Sequence, residues 1–142
     1  MLNNQLIIDR LLLIDGYLAE LQKLATINRE IFLADKKNGA AAESFLRRAL
    51  ETIFDIGRHI LARSGNVDLA SEYKAIARGL GDLKIIDMEL STKLVQMAGY
   101  RNRLVHLYHI VNDEELYEII STDLGDIVKF ISAMKEYLNG SA

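Results

Sequence analysis

Between Gly99 and Ile110 the chain gathers side chains that can do chemistry: Arg101, Asn102, Arg103, His106, Tyr108 and His109, set among apolar residues. Histidine titrates near neutrality, so His106 is suited to pass a proton as general acid or general base. Arg101 stays protonated and offers a planar fork that fits two oxygens of a phosphate. Asn102, four residues before His106, can orient either the imidazole or the phosphate. Together these groups suit proton transfer beside a bound phosphate. A helix starting near Asp87 is expected to carry them and to end near Val111. On such a helix Tyr108 lies about 20° to one side of Arg101, and His109, Asn102 and His106 roughly 80°, 100° and 140° to the other. That arc of about 160° can face a cleft while Leu104 and Leu107 project elsewhere.

Other chemistries find little support. The chain has no Gly-rich phosphate loop, no His-x-x-x-His pair and no nucleophile–base pair. His106 and His109 have an i,i+3 spacing that can bind a metal, but no carboxylate shares their helix face, so no metal site is expected. Without cysteine there is neither a disulfide framework nor a thiolate zinc site, which suits a reducing cytoplasm. The net charge of −3 argues against non-specific coating of nucleic acid and leaves room for a local phosphate site. A second basic stretch holds Arg47, Arg48, Arg58, His59 and Arg63.

The elements that must position these groups are all helical. The 142 residues suit a single domain spanning 1–142, half are hydrophobic, and there is no proline to interrupt a helix. The first helix is expected from about Asn3 into the low twenties, with Leu6, Leu13, Tyr17, Leu21 and Leu24 as one stripe and further apolar residues widening it. Asp9, Arg10 and Asp15 inside this run rule out a signal peptide or membrane span, so a soluble intracellular domain is expected. A helix this apolar is central to a bundle or partly buried at an oligomer contact. A short helical turn in Thr26–Asn38 and a loop at Lys36–Gly39 lead to a second long helix from Ala40 to Ser64. A third helix is expected from an Asp68 cap to Arg78, closed by Gly79–Leu80–Gly81. Asp87 is expected to cap the fourth helix, and Asn112, with Glu115 three residues on, the fifth, from Asp113 to Leu138. The expected fold is an antiparallel bundle of about five helices.

The pattern Arg101–Asn102–x–x–x–His106–x–Tyr108 resembles the active-site signature of the HEPN superfamily of small helical ribonucleases, most closely its HepT-type toxin branch. The stretch from Gly99 to Tyr108 is similar to that family's Gly-aromatic-Arg-Asn-x-Leu-Val-His-x-Tyr segment nearly position for position, and the likeness covers essentially the whole chain. The resemblance implies a HEPN-like bundle and a cofactor-free, metal-independent endoribonuclease toxin of a type VII toxin–antitoxin pair. Arg101, His106 and Asn102 would then be catalytic. It further implies a homodimer, and a cognate minimal nucleotidyltransferase antitoxin that silences the toxin by attaching AMP to Tyr108. The residue chemistry agrees. Cutting RNA without a metal needs a proton taken from the ribose 2′-OH, a proton given to the leaving 5′-oxygen, and positive charge on the phosphorane-like transition state. One copy supplies one unambiguous imidazole for two transfers, so two copies across a two-fold axis suit the chemistry.

Each residue also has a structural reading. His106 alone would be a solvated histidine near a helix end, Arg101 an ion-pair partner of Glu115 or Asp113, and Tyr108 a tyrosine snorkelling at the bundle edge. His109 lies off the family pattern and reads as a cleft-rim residue. The Arg47, Arg48 and Arg58 group is a solvated face or an RNA path; Glu51 and Asp55 repel each other unless one faces a cation such as Arg101. The alternative function is a non-catalytic helical module that binds nucleotide or a nucleotidyltransferase partner.

Overall fold

A computed structural model describes residues 4–64, 72–106 and 111–140. Its described residues form seven helices: α1 (Asn4–Ala25), α2 (Arg29–Ala34), α3 (Lys36–Arg63), α4 (Tyr73–Asp82), α5 (Met88–Val105), α6 (Asp113–Thr122) and α7 (Leu124–Gly140). The all-α helical bundle expected from the sequence is the fold observed, with seven helices among the described residues where about five were expected.

The centre of the bundle is α3, which packs against α1, α2, α4, α5 and α6. Its middle is buried almost without interruption, through Thr52, Ile53, Phe54, Ile56 and Gly57, because neighbours approach it from several sides. By contrast, α1 buries a single stripe of Ile7, Leu11, Ile14, Leu18 and Leu21, spaced three or four apart as one helical face requires. Leu13, expected on the buried stripe, is 46% exposed, and Ile8 and Leu12 are exposed with it. With apolar residues on both faces, α1 could turn either inward; its contacts with α3, α6 and α7 select one.

Helix ends follow their caps. The Asp35 side chain accepts from Lys37 N, so α3 starts at Lys36, and the loop expected at Lys36–Gly39 is helical instead. Asp87 caps α5 through Leu90 N at 2.7 Å, as expected. The third helix differs more. Asp68 lies outside the described residues, and Gly79 and Gly81, expected to close the helix, lie inside α4 and are buried. Gly81 serves close packing: a Cβ on it would lie 2.6 Å from Ser91 Oγ on α5. The reversal comes later, where Ile85 N donates to Leu80 O and Lys84 N to Gly81 O, the paired bonds of a Schellman cap. Lys84 holds the left-handed position, φ 60°, that glycine usually takes. The helix expected over Asp113–Leu138 is broken at Asp123, the C-cap of α6, whose N–H donates to Ile119 O. Among the described residues no helix is long and apolar enough to cross a membrane.

Two substitutions test this packing by thermal denaturation. An alanine Cβ at Gly57 would lie 2.5 Å from Ile76 Cγ2 and 3.2 Å from Leu80 Cδ1. Gly57→Ala is expected to lose roughly 1–2 kcal/mol, overpacking outweighing the gain in helix propensity. Lys84→Gly relieves a left-handed residue and is expected to gain up to about 1 kcal/mol.

Candidate active site

Helix α5 delivers Arg101, Asn102 and Arg103 near its C-terminal end and then stops at Val105. His106 is its C-cap, with extended backbone (φ −88°, ψ 116°) and its N–H donating to Asn102 O at 3.2 Å. The expected continuation to Val111 is therefore wrong, and with it the continuous arc that put His106 on the same helix as Arg101. No Gly or Pro marks this end in the sequence. It is set from outside the helix: Val111 is buried, Asn112 accepts from Glu115 N to cap α6, and Arg103 reaches α6. Tyr108 and His109 lie outside the described residues.

Three residues apart in role although neighbours in sequence, Arg101, Asn102 and Arg103 meet different surroundings. Arg103 is held by Glu115 through Nη1–Oε2 at 2.5 Å and Nη2–Oε1 at 2.8 Å, a bidentate pair. Glu115 thus spends its carboxylate on Arg103, while its own N–H is capped by Asn112. Arg101 makes no ion pair among the described residues. Its guanidinium carbon sits 4.1 Å from the ring centroid of Tyr73, at the start of α4. Its Nε is buried without a hydrogen-bond partner among the described residues, and Nη1 donates to Asn102 Oδ1 at 3.4 Å. Asn102 therefore turns its side-chain oxygen to the guanidinium. The ion pairing considered for Arg101 with Glu115 belongs to Arg103.

His106 is exposed and lines a groove of about 350 Å³ between the start of α3, the end of α5 and the start of α6. Lys36 and Arg103 line it with His106, Leu104, Val111 and Leu116 give it apolar walls, and Glu43 and Asp113 add acidic groups. Arg101 is not part of that lining; it faces α4 instead. Within one chain the structure joins Arg101 to Asn102 and keeps His106 in a neighbouring groove.

The second basic stretch divides. Arg47 bridges Glu43 and Glu51 along α3, and Arg48 is exposed, which fits a solvated face. Arg58 pairs with Asp55 at 3.1 Å and also lies over Tyr73, its guanidinium carbon 5.5 Å from the ring centroid. Glu51 and Asp55 are thus met by arginines of their own helix rather than by Arg101. The remaining described histidine, His59, is pushed toward its neutral form by burial and by the nearby Arg63. Tyr100 accepts from Gln96 and donates to Asp123 Oδ2 at 3.1 Å; burial first, then Asp123, push its hydroxyl up to about 12. It ties α5 to the α6–α7 junction and stays protonated. Among the described residues no group of three His, Asp or Glu side chains is arranged to hold a metal ion. Tyr73 was missed from sequence; its only signal was being the lone Phe or Tyr between Phe54 and Tyr100.

The Arg103–Glu115 pair predicts a pH effect. The Arg103 hydrogen bonds hold the Glu115 carboxyl below its usual value of 4.5 in the folded chain. The pair's contribution is complete above the unfolded value and is lost as pH falls through the folded one. Both side chains are partly exposed, so Glu115→Gln is expected to cost at most about 1 kcal/mol at neutral pH. Denaturation of both proteins across the acid range should show the difference fading.

Residues 14–134 match the family described as Ribonuclease HepT-like. The chain is 28% identical over 129 residues to a tRNA nuclease HepT from Aphanizomenon flos-aquae, covering 91% of this chain and 87% of that protein. Among solved structures it is similar in fold to a tri-AMPylated Shewanella oneidensis HEPN toxin in complex with an MNT antitoxin. The TM-score is 0.81 at 24% identity, over 96% of this chain and 99% of that one. A toxin–antitoxin crystal structure with AMP-PNP gives a TM-score of 0.81 at 23% identity, over 93% and 98%.

Proposed function

The chain belongs to the HepT-like ribonuclease family, and from that premise we propose that it is an endoribonuclease toxin whose cutting is done by Arg101, His106 and Asn102 and is switched off at Tyr108. Arg101 takes the phosphodiester with its guanidinium fork and stabilises charge as it builds on the phosphorane oxygens. Asn102 holds that guanidinium through its side-chain oxygen. His106 moves the proton: the ribose 2′-OH attacks phosphorus, the 5′-oxygen leaves and is protonated, and a 2′,3′-cyclic phosphate remains. The contrast between two arginines carries the assignment. Arg103 is occupied by Glu115, whereas Arg101 has no acid among the described residues and an unpartnered, buried Nε.

Because one chain keeps Arg101 and His106 in neighbouring places and offers few imidazoles, we assign the working unit to a homodimer that brings two motifs across one cleft. Exposed Ile8, Leu12 and Leu13 on α1 support a protein contact there. The RNA substrate is tRNA or mRNA, with tRNA supported by the relative named as a tRNA nuclease. The partner is a minimal nucleotidyltransferase antitoxin, supported by the toxin solved AMPylated with an MNT antitoxin. AMP on Tyr108 adds negative charge and bulk next to the motif and repels the RNA phosphate. We assign this work to the cytoplasm, where RNA and ATP meet.

Incubating purified protein with tRNA and total RNA tests the assignment. His106→Ala and Arg101→Ala are each expected to cut at least roughly a hundredfold more slowly while keeping the melting temperature and helical circular dichroism. Normal cleavage by either variant would remove that residue from the mechanism. Harmless expression of the wild type with intact RNA would favour the non-catalytic module. For the switch, intact mass after treatment with the antitoxin and ATP is expected to rise for wild type and not for Tyr108→Phe.

A further inference from the structure

Tyr73 is the point where three helices bring charge and an aromatic face together. Phe54, fully buried on α3, meets its ring edge-on at 5.3 Å and 66°, which fixes the ring against the core. Arg101 of α5 lies 4.1 Å from the ring centroid and Arg58 of α3 5.5 Å. Each cation is drawn to the ring's negative face, but two guanidiniums at one ring repel each other. Asp55 offsets Arg58, while Arg101 has no acid among the described residues. Among the described residues Arg101 thus brings a positive charge with no carboxylate of its own, and its buried Nε has no acceptor. A phosphodiester meeting the outer N–H groups of Arg101 supplies that negative charge.

We propose that Tyr73 is a positioning residue for RNA cleavage, its ring face holding the Arg101 guanidinium with its outer N–H groups turned to phosphate, and that Arg58 is a second cation on the same RNA backbone. The inference rests on Arg101 being the phosphate ligand. The ring matters here and the hydroxyl does not: a guanidinium over an aromatic face keeps its donors in its own plane, free for a bidentate contact, whereas an ion pair would use them up. Without the ring Arg101 keeps its charge and loses its orientation. RNA still binds, but the transition state is met less well.

The experiment compares kcat and KM of purified full-length variants on one RNA. Tyr73→Leu is expected to lower kcat roughly tenfold to a hundredfold, with a smaller change in KM. Tyr73→Phe, which restores the ring, is expected to recover most of that loss. Arg58→Gln is expected to raise KM more than it lowers kcat and to flatten the salt dependence of RNA binding. Since the chain has no tryptophan, Tyr73→Trp keeps a cation-binding ring and adds a reporter. Its emission is expected to change when a 2′-O-methyl oligonucleotide, which cannot be cut, is added, and this readout stands even if Tyr73→Leu does not fold. Equal rates for the Leu and Phe variants, an unchanged salt slope for Arg58→Gln, or a silent tryptophan would each overturn the inference. If Arg101→Ala abolishes cleavage in the same assay, the assignment of Arg101 survives such a failure; if Arg101→Ala cuts normally, both fall.

Discussion

The burial of α3 on several sides is the constraint from which the other positions follow. A helix buried along Thr52–Gly57 except at Asp55 has little solvent face there to spare, so neighbours dock in the space its small residues leave. Gly57 admits Ile76 and Leu80 of α4, and Gly39 admits Asp113 of α6. Burying each large apolar side chain of this kind contributes roughly 1.5–3 kcal/mol. The same helix brings Phe54 and Arg58 beside Tyr73 and puts Lys36 at the rim of the His106 groove. Core and site share one scaffold.

The C-terminal end of α5 shows how neighbouring residues of one charge acquire different jobs. Arg103 is clamped by a carboxylate and fastens α5 to α6. Arg101, two residues earlier and so on another face of the helix, meets an aromatic ring. A cation over a ring keeps its donors; a cation in a bidentate ion pair does not. That difference, more than charge, is what supports the proposed role of Arg101 at phosphate and makes Arg103 a fastening.

The end of α5 at Val105 also bears on how catalysis is organised. A continuous helix would have carried Arg101 and His106 on one arc; the observed extended backbone at His106 puts the imidazole in a separate groove. In the proposed mechanism, bringing the Arg101 guanidinium and the His106 imidazole to one phosphodiester would fall to a second copy of the chain. The proposed homodimer would also provide the second imidazole that two proton transfers call for.

Much of this was legible in the sequence by itself. Proline-free composition and apolar spacing determined an all-α bundle, the Asp87 and Asn112 caps determined where α5 and α6 begin, and the spacing of Arg101, Asn102, His106 and Tyr108 determined the family. Tertiary structure decided the rest. Which face of α1 is buried was open because both faces are apolar, and contacts with other helices chose between them. Gly81 read as a helix stop because glycine serves tight turns and close packing alike, and only the position of Ser91 on the neighbouring helix separates the two uses. The stop of α5 carries no local breaker, and the partners of Arg101 and Arg103, Tyr73 and Glu115, lie on other helices. Local preferences act over a turn or two of chain; a contact between α4 and α5 depends on where both have been packed, and no short stretch of sequence contains that.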